Sequence, residues 1–76
     1  MPKLPVASGR DAIRALGRIG CEFLRQRGSH VTLINRETRQ TTVVPVHANR
    51  PLQPGTLRRI IRQAGLTVKE LTRLLQ

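Results

Sequence analysis

Aromatic side chains are all but missing from this chain: Phe23 stands alone, with no Trp and no Tyr. Sequence-independent binding of single strands through rows of stacking platforms is thereby disfavoured, because such proteins usually offer several. Cysteine is just as scarce. Cys21 has no second thiol for an internal disulfide, and between Gly20 and Glu22 it reads as a small buried or half-buried residue rather than a nucleophile. The acids are four, Asp11, Glu22, Glu37 and Glu70, and their isolation argues against a Mg²⁺ cluster and two-metal nuclease chemistry. Two histidines and one cysteine without ligand spacing give no zinc site, and no Gly-rich phosphate loop precedes a helix. The expectation is therefore no metal and no cofactor. No hydrophobic run is long enough to span a membrane. The start, Met1-Pro2-Lys3-Leu4-Pro5, lacks the apolar core of a signal peptide, so a cytoplasmic protein without a membrane partner is expected. A chain of 76 residues allows one small domain, taken as 1–76, and neither a large cleft nor a dinucleotide-binding unit.

What is abundant is arginine. Fourteen Lys and Arg, of which only Lys3 and Lys69 are lysine, face the four acids, for a net charge of +10. The planar guanidinium fork suits bidentate contact with phosphate, which makes a nucleic acid the leading partner class and an acidic protein the second. With 38% hydrophobic residues falling in short periodic runs, the chain is expected to fold rather than stay disordered.

Ser8-Gly9-Arg10-Asp11 reads as a capping box opening a helix, with Ala12, Ile13, Leu16 and Ile19 as its apolar stripe and Gly20 as its end. Arg10, Arg14 and Arg18 recur along one side of it. From Cys21 to Arg27 the helical period is lost; strict alternation puts Phe23, Arg25 and Arg27 on one face of a strand. Gly28-Ser29 is a turn, and His30 to Asn35 reads as a second strand. After the connector Arg36-Glu37-Thr38-Arg39, the run Thr41 to Val46 is a third, with Pro45 at a strand end or sheet edge. A loop from His47 to Gln53 leads to a helix begun by Pro54, whose Leu57, Ile60, Ile61 and Ala64 face a core while Arg58, Arg59 and Arg62 lie off that stripe. Gly65 ends it, and Thr67-Val68-Lys69-Glu70 is a capping box for a last short helix. The fold class is thus α+β: a three-stranded antiparallel meander with helices packed on one face, plus a short C-terminal helix.

Within Arg25-Gln26-Arg27-Gly28-Ser29-His30 a histidine follows a tight turn among cations. Metal-free RNA cleavage needs a group that exchanges protons near neutral pH and cations that stabilise the charge gathering on phosphorus, and this segment holds both. On the residues alone the competing reading of His30 is that it simply begins a strand. His47 is a candidate second acid/base: with His30 opposite Pro45 it falls on the same face as His30, whereas a shift of one residue turns it away. The other candidate phosphate-binding residues are Arg25, Arg27, Arg10, Arg14, Arg58 and Arg59, against the plainer reading of solvated helix faces. Few acids interleave with them, which favours a polyanionic or acidic partner.

Gly28-Ser29-His30, Val44-Pro45-Val46-His47 and the run from Leu52 to Leu66 together resemble the HicA toxins of bacterial toxin–antitoxin systems, and Ser8 to Leu16 fits their first helix. The resemblance spans nearly the whole chain. It implies a fold similar to the double-stranded RNA-binding domain, ribonuclease activity against mRNA, a catalytic histidine at His30, and inhibition by a HicB-type antitoxin. The connector Asn35 to Arg39 departs from relatives in lacking an Asp-Gly turn, which leaves the hairpin register open. The rival expectation is a non-catalytic RNA-binding module of the same fold.

Overall fold

The first helix, α1 (Gly9–Gly17), starts where the side chains allow it. The Ser8 hydroxyl accepts from the Asp11 backbone N–H at 3.1 Å, and the Asp11 carboxylate accepts from the Ser8 N–H at 3.1 Å. Those bonds, the Ser8 N–H first and its hydroxyl next, with Arg14 nearby, hold the Asp11 carboxyl below its ordinary range. The helix is expected to reach Ile19 but ends at Gly17. The chain then tightens into successive i to i+3 bonds, Arg18 to Ala15, Ile19 to Leu16 and Gly20 to Gly17, and Ile19 still packs on the core.

The structure, a computed structural model, describes residues 3–76. Met1 and Pro2, the first residues of the segment judged to lack a signal-peptide core, lie outside them. After α1 come β1 (Cys21–Arg27), β2 (His30–Asn35), β3 (Gln40–Pro45), α2 (Pro54–Ala64) and α3 (Val68–Leu74). The strands form one antiparallel sheet in the order β1-β2-β3. The expected α+β class is found.

Alternation along the strands sorts the sheet into two faces. Val31, Leu33 and Val44 point to the helices and share a core with Ala12, Leu16 and Ile60. Ala15, Leu57, Ile61 and Leu71 form a second cluster that fastens α3 to the other helices. Side chains such as Leu16, Leu57 and Ile60 are fully buried, each worth about 1.5–3 kcal/mol of transfer from water. Gly9 is buried because α1 begins against the end of β3, where a Cβ would overlap the Pro45 carbonyl.

Two expectations for the strands need correction. Phe23 does not share a face with Arg25 and Arg27. A bulge between Phe23 and Arg25 resets the phase of β1, so that Phe23 pairs with Leu33 while Arg25 and Arg27 pair with Thr32 and His30. Phe23 remains 60% exposed. The third strand is also displaced by one residue, Gln40–Pro45 rather than Thr41 to Val46.

The connector closes without an Asp-Gly turn. The Asn35 side-chain oxygen accepts from the Glu37 and Thr38 backbone, and Arg39 takes the left-handed conformation at φ 62°. The register that results sets His30 opposite Pro45.

Pro54 supplies a ready-made helical φ at the first turn of α2, and Gly65, at φ 72°, ends the helix in a left-handed cap. The Thr67 and Glu70 box opens α3 as expected. Among the described residues no helix is long and apolar enough to cross a membrane.

Candidate active site

The turn between β1 and β2 fixes the position of His30. Gly28 has φ 57°, the positive value a two-residue type II′ turn demands at its first central position, and the Gln26 side chain donates to the Gly28 carbonyl at 2.9 Å. Ser29 is tied to the chain just past β3, its carbonyl accepting from the Val46 N–H at 2.7 Å. His30 is therefore the first residue of β2, directly opposite Arg27 on one side and Pro45 on the other.

His30 alternates with the core residue Val31, so its side chain lies on the face that the helices leave open. Arg25, Arg27, His30 and Thr32 line one depression there. The two guanidinium groups and the imidazole are exposed, while Thr32 is buried to 8% exposure beneath them. Among the described residues neither Arg25 nor Arg27 has a carboxylate partner; the ion pairs are Arg14–Asp11 at 3.1 Å and Arg36–Glu22 at 2.8 Å. The depression is thus cationic and unneutralised, with a titratable imidazole at its edge. Alternation from His30 carries the signal for Thr32, which sequence reading left out.

The remaining candidate cations lie elsewhere. Arg10 and Arg14 belong to α1, and Arg58 and Arg59 to α2, the layer beneath the opposite face of the sheet. Arg10 and Arg58 are exposed, and Arg14 bonds Asp11. Arg59 is half-buried: its Nη2 donates to the Val43 carbonyl at 2.8 Å, and the Gln63 side chain accepts from the Val43 N–H at 3.2 Å. These two α2 side chains occupy both backbone groups of Val43 at the edge of β3. Arg59 Nε is buried without a partner.

His47 follows the end of β3. The His30–Pro45 register is the one that would align it with His30, but the strand stops at Pro45 and His47 opens a turn, its carbonyl accepting from the Arg50 N–H at 3.0 Å. It lines a neighbouring depression with Pro45, Arg50, Leu52, Gln53 and Thr56. In the sequence Arg50 and Gln53 carry no signal beyond that of a loop. Cys21 is half-buried, and burial pushes its thiol up, away from nucleophilic chemistry.

Three of the four carboxylates have structural partners. Asp11 caps α1, Glu22 bonds Arg36, and Glu70 caps α3. Among the described residues no three His, Cys, Asp or Glu side chains gather as a metal-binding group would.

Compared with known protein families, residues 9–66 match the family described as the HicA toxin of bacterial toxin–antitoxin systems. No curated protein matches the chain.

Proposed function

Because the chain belongs to the HicA toxin family of bacterial toxin–antitoxin systems, we propose that it is a toxin that cleaves mRNA endonucleolytically through His30, without a metal ion, and that a HicB-type antitoxin holds it inactive. The observation that carries the reading is the depression lined by Arg25, Arg27, His30 and Thr32. It joins one proton-exchanging group to two free cations on an open sheet face.

The chemistry follows from those groups. The 2′-oxygen of a ribose attacks the adjacent phosphorus, the bond to the 5′-oxygen breaks, and the products are a 2′,3′-cyclic phosphate and a 5′-hydroxyl. One proton leaves the 2′-hydroxyl and one reaches the departing 5′-oxygen; His30 exchanges one of the two, the role imidazole suits near neutral pH. Arg25 and Arg27 hold the phosphate oxygens and stabilise the charge that builds on them. The capping and ion-pair duties of Asp11, Glu22 and Glu70 support a mechanism in which arginine takes the place of a metal. The same open, basic face suits an acidic antitoxin, and one partner lying over it covers histidine and phosphate track together.

The test uses purified protein and RNA in excess EDTA. The wild type yields discrete fragments with 5′-hydroxyl ends. His30→Ala lowers the cleavage rate by about 10²–10⁴-fold and keeps the fold, by circular dichroism, and antitoxin binding. A wild type that shifts RNA on a gel without cutting it overturns the reading in favour of a non-catalytic RNA-binding module.

A further inference from the structure

The depression beyond the end of β3 has no part in the chemistry assigned to His30. It encloses about 300 Å³, at the lower end of small-molecule pockets and roomy enough for one nucleobase. Its lining is of two kinds. Pro45 and Leu52 supply apolar carbon, while His47, Arg50, Gln53 and Thr56 supply polar groups. Among the described residues none of these four polar side chains makes a hydrogen bond within the protein, although the neighbouring Arg59 and Gln63 do.

Those four side chains have the chemistry of base recognition. An imidazole and a guanidinium are planar, and an unstacked base rests on either one. A carboxamide and a hydroxyl each donate and accept, as reading a base edge requires. The position fits as well. Pro45 lines this pocket and is the direct cross-strand partner of His30, and such partners hold their Cβ atoms about 4.5–5.5 Å apart. The pocket thus adjoins the strand position that faces His30, within reach of a nucleotide next to a phosphate held by Arg25, Arg27 and His30.

We propose that the pocket is a nucleobase subsite. It takes the unstacked base next to the scissile phosphate against His47 and Arg50, and Gln53 and Thr56 read its edge. The location of the phosphate rests on the ribonuclease reading; the pocket itself does not. Base stacking in a chain with one Phe and no Trp or Tyr thus falls to histidine and arginine, and His47 acts by its flat face rather than as a second acid or base.

Two measurements test this. In the first, a randomised RNA pool is cleaved and the fragment ends are sequenced. The wild type shows a base preference at one position flanking the cut, and Gln53→Ala flattens it there and nowhere else. Arg50→Ala and His47→Ala lower kcat/KM by roughly 5- to 150-fold, the loss of one stacked base, whereas His47→Phe, which stacks but cannot exchange protons, restores most of it. In the second, ¹⁵N-labelled His30→Ala protein is titrated with a short single-stranded RNA, and the backbone amides of Arg50, Gln53 and Thr56 shift. Cleavage by the wild type with no such shifts, or a preference that Gln53→Ala and Arg50→Ala leave unaltered, overturns the subsite and leaves the ribonuclease reading intact. Shifts at those amides in a protein whose wild type never cuts RNA sustain the subsite and overturn the ribonuclease reading instead.

Discussion

Two glycines at opposite ends of α1 carry opposite demands. Gly9 has the Pro45 carbonyl where a Cβ would be, backbone against backbone, so neither side can yield cheaply. Gly17 has open space around it. Gly9→Ala is expected to destabilise the protein by about 1–3 kcal/mol, as overpacking does, while Gly17→Ala stabilises it by about 0.4–1 kcal/mol by narrowing the unfolded ensemble. Thermal denaturation reads both, at about 4–8 °C per kcal/mol in a domain of this size. Equal shifts in the two variants would disprove the close approach at Gly9. Because that contact lies at the strand end opposite His30, Gly9→Ala also tests how far the site depends on the docking of α1.

The elements differ in how their edges are finished. On β3 the outward N–H and C=O of Val43 are taken by Gln63 and Arg59 of α2, so a helix that packs on one face also occupies one position of the sheet's edge. Arg59→Ala is expected to lower stability by about 1–3 kcal/mol, the cost of stranding a shielded acceptor, and to leave the salt dependence of RNA binding unchanged. Urea denaturation and a binding titration separate this from a phosphate contact, which would alter the salt dependence and spare stability. Much of the element pattern was legible in the sequence because its determinants are local. The Ser8–Asp11 and Thr67–Glu70 boxes, Pro54 and Gly65 each act within one helical turn, and the Gly28 turn places His30 beside Arg27. Apart from the ends of α1 and β3, displaced by one or two residues, the misses involve partners elsewhere in the chain. The bulge that separates Phe23 from Arg25 depends on the pairing of β1 with β2, and nothing in the run Cys21 to Arg27 marks it. The link from Arg59 to Val43 and the pocket joining Pro45 to Thr56 arise only once α2 lies beside β3.

For the whole molecule, charge decides how it meets a partner. With a net charge of +10, the described residues form ion pairs at Asp11 and Glu22 and leave most arginines free. Affinity for single-stranded RNA is expected to fall with salt, with a log–log slope of about −0.7 for each phosphate neutralised. Arg25→Ala and Arg27→Ala each reduce the steepness by one such increment; a slope unmoved by either means that these arginines do not touch the backbone. The sheet's one-sided finish also governs self-association. Stacking of strands into a fibril requires each copy to offer two free borders, so that every added chain presents a new one. Here α2 occupies the Val43 position of the β3 border, and β1 carries Arg25 and Arg27 just after a bulge. An added strand would meet the α2 side chains at Val43 on one border and a bulged, like-charged strand on the other, so both borders of the native sheet resist growth by edge pairing.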